Sequence, residues 1–434
     1  MPVSKKDASD DTDAGSVLTV ISNHYVCSGD FNGILASRLA EQLGFTRASL
    51  LQVLEQLLAS ERITIAFDRY QGNPHILRLP PPDTQRQLAL VNSEALHTFC
   101  VYPSAKTLAY RKDLASFSDR PFTRRLALGE AMLMAVFFEL SVLETYYRDP
   151  RYRFHYNDMG GWISITDEAS RSPEVDGRDK VLLETFGIGY DERHNRVVVV
   201  YLRYLSRLSP EHQQIWNAQV AQRPCTMNGD YAGATLEGRW FTHHSAYNAL
   251  LAEIREINKI SSVIGKPSLF RDDFSSGRPS GFHPMLRPTG RNLLDFVHLF
   301  DKMLSDNLNY DFFRYDIPLE EELARDDGKI QVKSLGTLKL LWNWLSTHYR
   351  SSDGADVSDE ILIPLKKIRK LRQRPAHGID EDKFDISLPG QQDQLLVDVL
   401  QALQKLRWLL MSHPNARGKY QPPDWLDGDN IVVY

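Results

Sequence analysis

The chain has 434 residues, 42% apolar and 25% charged, a balance that excludes wholesale disorder and leaves room for two to four domains, each with its own core. A net charge of -5 excludes a global attraction for nucleic acid, so any polyanion binding must rest on local patches. No apolar run reaches the roughly 18 residues of a membrane span, and Cys27, Cys100 and Cys225 are too widely spaced for a disulfide framework or a zinc cage. A cytoplasmic protein with no membrane partner and no cofactor is therefore expected.

Taken in chain order, residues 1–13 are polar, without the apolar core of a signal peptide, and read as a disordered tail. From Ile34 to Leu43, apolar residues recur at helical spacing; Gly44 ends that helix and Thr46 caps the next, which runs through Leu50, Leu51, Val53, Leu54, Leu57 and Leu58. The stretches "ITIAF" and "HILRL" then alternate as two strands around a turn-rich link. Helices closing on a two-stranded wing resemble a winged helix-turn-helix over residues 14–82. That resemblance implies a recognition helix from Thr46, with Arg47, Ser49 and Gln52 able to read base edges of DNA. The same region holds five arginines, no lysines and five acids. Groove binding draws much of its affinity from phosphate neutralisation, so DNA binding and protein contact both remain open there.

Residues 88–260 are expected to form a small α+β middle domain of antiparallel hairpins. A long, mostly helical apolar run from Phe122 to Tyr147 precedes "YRFHYND" and "GWISITD", and "KVLLETFGIGYD" then pairs with "RVVVVYLRYL" around "ERHN". Gly187-x-Gly189 lies in that hairpin and not between a strand and a helix, so it does not read as a phosphate cradle. Adjacent His243 and His244 diverge on either a helix or a strand and do not read as a metal pair. A Gly-, Ser- and Pro-rich loop from Lys266 marks a domain boundary.

Four amphipathic segments follow, making a C-terminal four-helix bundle the economical fold for residues 284–413, with an irregular tail over 414–434. Glu320 to Asp327 reads as a solvated charged link. The whole is a mixed α+β multidomain chain.

The chemistry concentrates in the third of these helices. From Lys366 to Arg374 six of nine residues are basic, Leu365, Ile368 and Leu371 keep core spacing, and the cations are expected to point largely outward. Pro364 reads as the first turn, and Pro375 as a break just before His377. Arg372 and His377, four residues between them, match the Arg-x4-6-His motif of the HEPN superfamily, and the helical setting resembles that family's fold. The resemblance implies a metal-independent endoribonuclease working as a homodimer on RNA, in many members as a toxin or in antiviral defence. His377 would take the proton from an RNA 2′-hydroxyl and Arg372 would stabilise phosphoryl charge. Lys366, Lys367, Arg369, Lys370 and Arg374 would hold the backbone. The motif recurs eight times in the chain, so its setting decides. The departures are Gln373, where members often have Asn, and Ile379, where some carry a modifiable Tyr. The rival readings are a solvated basic helix face, and a winged-helix regulator whose C-terminal helices only dimerise.

Overall fold

The computed structural model describes residues 5–71, 75, 81–111, 116–239, 243–324, 330–349, 357–373, 382–428 and 430–434. They form a mixed α/β protein with small, mainly antiparallel sheets. The chain divides into two compact units, residues 1–154 with 160–228, and residues 155–159 with 229–434.

In the first unit, helix α1 (Lys5–Cys27) takes in part of the stretch expected as a tail. Strand β1 (Ile34–Leu35), helices α2 (Ala36–Leu43) and α3 (Arg47–Ala59), strand β2 (Ile63–Phe67), helix α4 (Thr84–Ser93) and strand β3 (Phe99–Pro103) follow. The α2–α3 corner follows its residues: Gly44 adopts φ 67°, a left-handed conformation that costs glycine little, and the Thr46 hydroxyl accepts the Ser49 amide at 3.2 Å. Leu50, Leu54, Leu57 and Leu58 pack with Val17, Ile21, Val91 and Phe99. Burying each such side chain is worth about 1.5–3 kcal/mol. The strand expected to pair with β2 lies outside the described residues except for His75; among the described residues β2 pairs antiparallel with β3, which sits between β1 and β2. Every residue of Phe99–Pro103 is buried, as a central strand requires. Gln87 seals this sheet against α4, accepting the Ile65 amide at 2.8 Å and donating to the Pro82 carbonyl at 2.6 Å.

The expected long helix beyond Phe122 does not form. Helix α5 (Pro121–Ala127) stops at Gly129, which has φ 94°, and Ala135–Glu139 becomes strand β4, pairing with a later strand. Its V-F-F core suits a pleated, half-buried surface, and apolar runs of this length do not distinguish helix from strand by periodicity. Strands β5 (Tyr152–Asn157), β6 (Gly160–Ile165), β7 (Leu182–Asp191) and β8 (Arg196–Tyr201) complete a sheet of order β4-β8-β7-β6-β5. Helix α6 (Pro210–Asn217) follows, and strand β9 (Cys225–Met227) pairs with β7. The hairpin around "ERHN" forms as the alternation predicts, and Val197 to Val200 are wholly buried.

The second unit begins with β10 (His244–Ser245) and helix α7 (Ala246–Val263), then helix α8 (Gly290–Met303), strands β11 (Glu320–Ala324) and β12 (Ile330–Ser334), and helices α9 (Thr337–His348), α10 (Val357–Gln373) and α11 (Leu388–Met411), ending on β13 (Ile431–Val432). Helix α10 packs on α8, α9 and α11, while α7 lies along α11. One apolar cluster joins them through Leu250, Ile257, Phe300, Trp344, Ile368 and Leu403. The stretch expected as a charged link is in part strand β11, paired with β12. The stretch after 413 is pinned: β13 runs parallel to β10, Trp425 stacks on His244 with ring centres 3.9 Å apart, and Tyr420 donates to Glu256. Among the described residues no helix is long and apolar enough to cross a membrane.

Candidate functional site

Helix α10 buries Ile361, Leu362, Leu365 and Ile368, and Pro364 lies inside the helix, not in its first turn. Proline there leaves one carbonyl of the preceding turn without its intrahelical donor, a cost the packing on three neighbouring helices offsets. Arg369 and Arg372 flank the buried stripe at helical spacing, so they turn toward α8 and not outward as expected. Their guanidinium groups meet two carboxylates, Asp301 in the last turn of α8 and Asp306 just beyond its end. Asp301, wholly buried, accepts from Arg369 Nε at 3.1 Å and from Arg372 Nη1 at 2.6 Å. Asp306 accepts from Arg369 Nη2 and from Arg372 Nη1, each at 2.6 Å. Partial burial works to raise the Asp306 carboxyl, but Arg372 and Arg369 outweigh it and hold the group below the usual carboxylate range. The hydrogen bonds that Arg372 donates to Asp301 and Asp306 in turn raise it above its ordinary value.

This closed ring of two arginines and two aspartates does two things. It joins α10 to α8, and it fixes the direction in which Arg372 points. Nη1 is committed to both carboxylates, whereas Nε and Nη2 make no hydrogen bond among the described residues, and the side chain is 28% exposed. Guanidinium nitrogens without a protein acceptor are the donors that a phosphate or carboxylate takes. The rest of the cluster is partly neutralised as well. Lys367 meets Asp398 at 3.0 Å and Lys366 meets Asp359 at 3.9 Å, both at the surface, while Lys370 is exposed with no ion pair among the described residues. Arg374 and His377 lie outside the described residues.

The other copies of the Arg-x4-6-His motif separate on burial. Arg407 is wholly buried between Glu253 at 2.7 Å and Asp427 at 2.6 Å. Arg278 is bound to Asp158 at 2.7 Å, and burial pushes its partner His283 down to about 4. His212 is buried against the Tyr146 hydroxyl at 2.8 Å, and burial lowers it. Arg291 and His298 are both exposed and seven residues apart on α8, hence on one face. That pairing is one open competitor of Arg372 and His377, as are the exposed pairs Arg69 with His75 and Arg148 with His155, and its helical spacing was readable in the sequence. Asp301 and Asp306 were not, since nothing local marks an aspartate as the partner of an arginine 71 or 66 residues later.

On α3, Arg47, Ser49 and Gln52 are all exposed. Arg47 donates to the carbonyls of Asn92 at 3.1 Å and Glu94 at 3.2 Å, and Ser49 turns back to the Thr46 carbonyl at 3.0 Å. Gln52 has no hydrogen-bond partner among the described residues. Beside this face, Glu55 accepts from Asn92 at 2.5 Å, adding negative charge where a phosphate would approach. No model of a known protein family, no curated protein and no solved structure matches this chain.

Proposed function

We propose that the chain is a HEPN-like, metal-independent endoribonuclease with Arg372 and His377 as its reacting pair. The observation that supports this reading is Arg372 itself, partly exposed and oriented by Asp301 and Asp306, with Nε and Nη2 unbonded among the described residues, five residues before His377 in the sequence. His377 takes the proton from the 2′-hydroxyl, the 2′-oxygen attacks phosphorus, and the bond to the 5′-oxygen breaks; that oxygen takes a proton from water and leaves as a 5′-hydroxyl, opposite a 2′,3′-cyclic phosphate. Arg372 binds the non-bridging oxygens as charge builds on them. Lys370, Arg374 and the surface lysines Lys366 and Lys367 hold the RNA backbone. In this reading residues 14–82 are a winged helix, residues 284–413 the HEPN-like bundle, and the chain acts in the cytoplasm as a homodimer, in toxin-type or antiviral growth arrest.

The test is RNA cleavage by the purified chain with EDTA present. Wild type is expected to cut; Arg372→Ala and His377→Ala are expected to lose at least a hundredfold in rate, on the scale of a removed acid–base or oxyanion group, while His298→Ala cuts normally. Intact RNA with wild type, or equal cutting by the Arg372 and His377 variants, removes catalysis from this pair. A second reading, a non-enzymatic winged-helix regulator of DNA, draws on the exposed Arg47, Ser49 and Gln52 face. Duplex binding that Gln52→Ala weakens, together with no RNA cleavage, would favour it.

A further inference from the structure

Strands β11 and β12 pair only with each other among the described residues, with Glu320 opposite Ser334, Glu321 opposite Lys333 and Glu322 opposite Val332. Every residue of β12 is exposed, and its apolar members Ile330 and Val332 keep 65% and 55% of their surface in water. A two-stranded hairpin is marginal in water by itself, and an exposed strand edge carrying apolar side chains is a template for another strand. The two edges of this hairpin differ in kind. The β11 edge presents Glu320, Glu321 and Glu322 in a row, a charged barrier to pairing. The β12 edge presents Ile330, Gln331, Val332, Lys333 and Ser334, with a single charge.

We propose that β12 is the docking edge for β12 of a second copy of this chain, antiparallel about a twofold axis through Val332, giving a four-stranded sheet of order β11-β12-β12-β11. This register sets Val332 opposite Val332 of the second copy, Ile330 opposite Ser334, and the Gln331 amide opposite the Lys333 ammonium. Every described residue of β12 finds a partner and no like charges face each other. Moving the axis to Lys333 sets two ammonium groups opposite, which is destabilising. Ile330 and Val332 share the face of Glu322 and Glu320, so docking joins their side chains into one apolar strip across the new seam. The contact is self-complementary, and it stops at two copies because the glutamate-lined β11 edges are left outermost. This assignment does not rest on the ribonuclease reading, since it is read from mass and not from cleavage.

Sedimentation of the full chain over a concentration series tests it, with Val332→Lys alongside and thermal melting to check that each variant folds. Wild type sediments as a dimer, and Val332→Lys as a monomer with an unchanged melt. In a Cys27→Ser, Cys225→Ser background, Val332→Cys is coupled to itself by a short bismaleimide, and Glu321→Cys, on the outer strand, is not. A wild type that stays monomeric throughout overturns the proposal. So does a dimer that survives Val332→Lys or that leaves Val332→Cys uncoupled, either of which assigns association to another surface or another occupant of this edge.

Discussion

Two arginine–carboxylate networks in the second unit use the same chemistry in opposite surroundings. Arg407 ties α11 to Glu253 of α7 and to Asp427, with both the guanidinium and Glu253 wholly buried. Arg369 and Arg372 tie α10 to Asp301 and Asp306, but 31% and 28% of these side chains remain in water. In the sequence Arg407 and Arg372 each sit in an Arg-x4-6-His match near a helix end. What separates them is access: Arg407 has no side-chain surface in water, whereas Arg372 is partly exposed and keeps two nitrogens without a hydrogen bond among the described residues.

That contrast is sharpest in stability. Arg407→Ala strands a buried Glu253 and is expected to cost about 3–5 kcal/mol, measured by urea unfolding, whereas Arg407→Met together with Glu253→Leu restores much of the loss. Asp301→Ala is expected to cost about 2 kcal/mol, the scale of a hydrogen bond to a charged group, because its arginine partners can turn to water. On the proposed ribonuclease reading, the same change is expected to lower RNA cleavage by releasing Arg372. An Asp301→Ala loss equal to that of Arg407→Ala would erase the distinction. The next effect is in pH. Burial pushes the Glu253 carboxyl from 4.5 up to about 7, against the pull of Arg407, and its Oε1 has no hydrogen-bond partner among the described residues. A carboxyl raised in the fold binds its proton more tightly there than in the unfolded chain, so its contribution is complete below about 4.5 and is lost as pH rises toward about 7. Glu253→Gln is expected to flatten that slope in melts taken across the window; the open ring, with Asp306 held low, has the opposite sign. Smallest of all is Lys366→Ala, whose 3.9 Å pair with Asp359 is half in water and whose loss should move stability by less than about 0.5 kcal/mol.

Much of the local structure was legible because its causes are local. Gly44 and Thr46 mark one helix end and the next start by backbone conformation and capping, and the alternation from Leu182 to Tyr201 marks a hairpin. The misreadings arose where the cause lies far along the chain. Ala135–Glu139 is a strand because β8, some sixty residues later, offers it an edge. The basic cluster was legible as composition, but not its orientation. Arg369 and Arg372 turn inward for Asp301 and Asp306, 63 to 71 residues earlier, and no periodicity within α10 encodes those partners.

The pairing of α7 with α11 has a consequence for how this unit folds. Arg407 and Glu253 are 154 residues apart, and Tyr420 and Glu256 are 164 apart, so the contacts that bury α7 close very long loops. Such non-local contacts slow folding, because loop entropy is lost before burial compensates it. Until α11 arrives, Leu250, Ile254 and Ile257 of α7 have little of their final cover. Refolding of the second unit should therefore lag behind helix formation, with a transient species that binds hydrophobic dyes and aggregates as concentration rises.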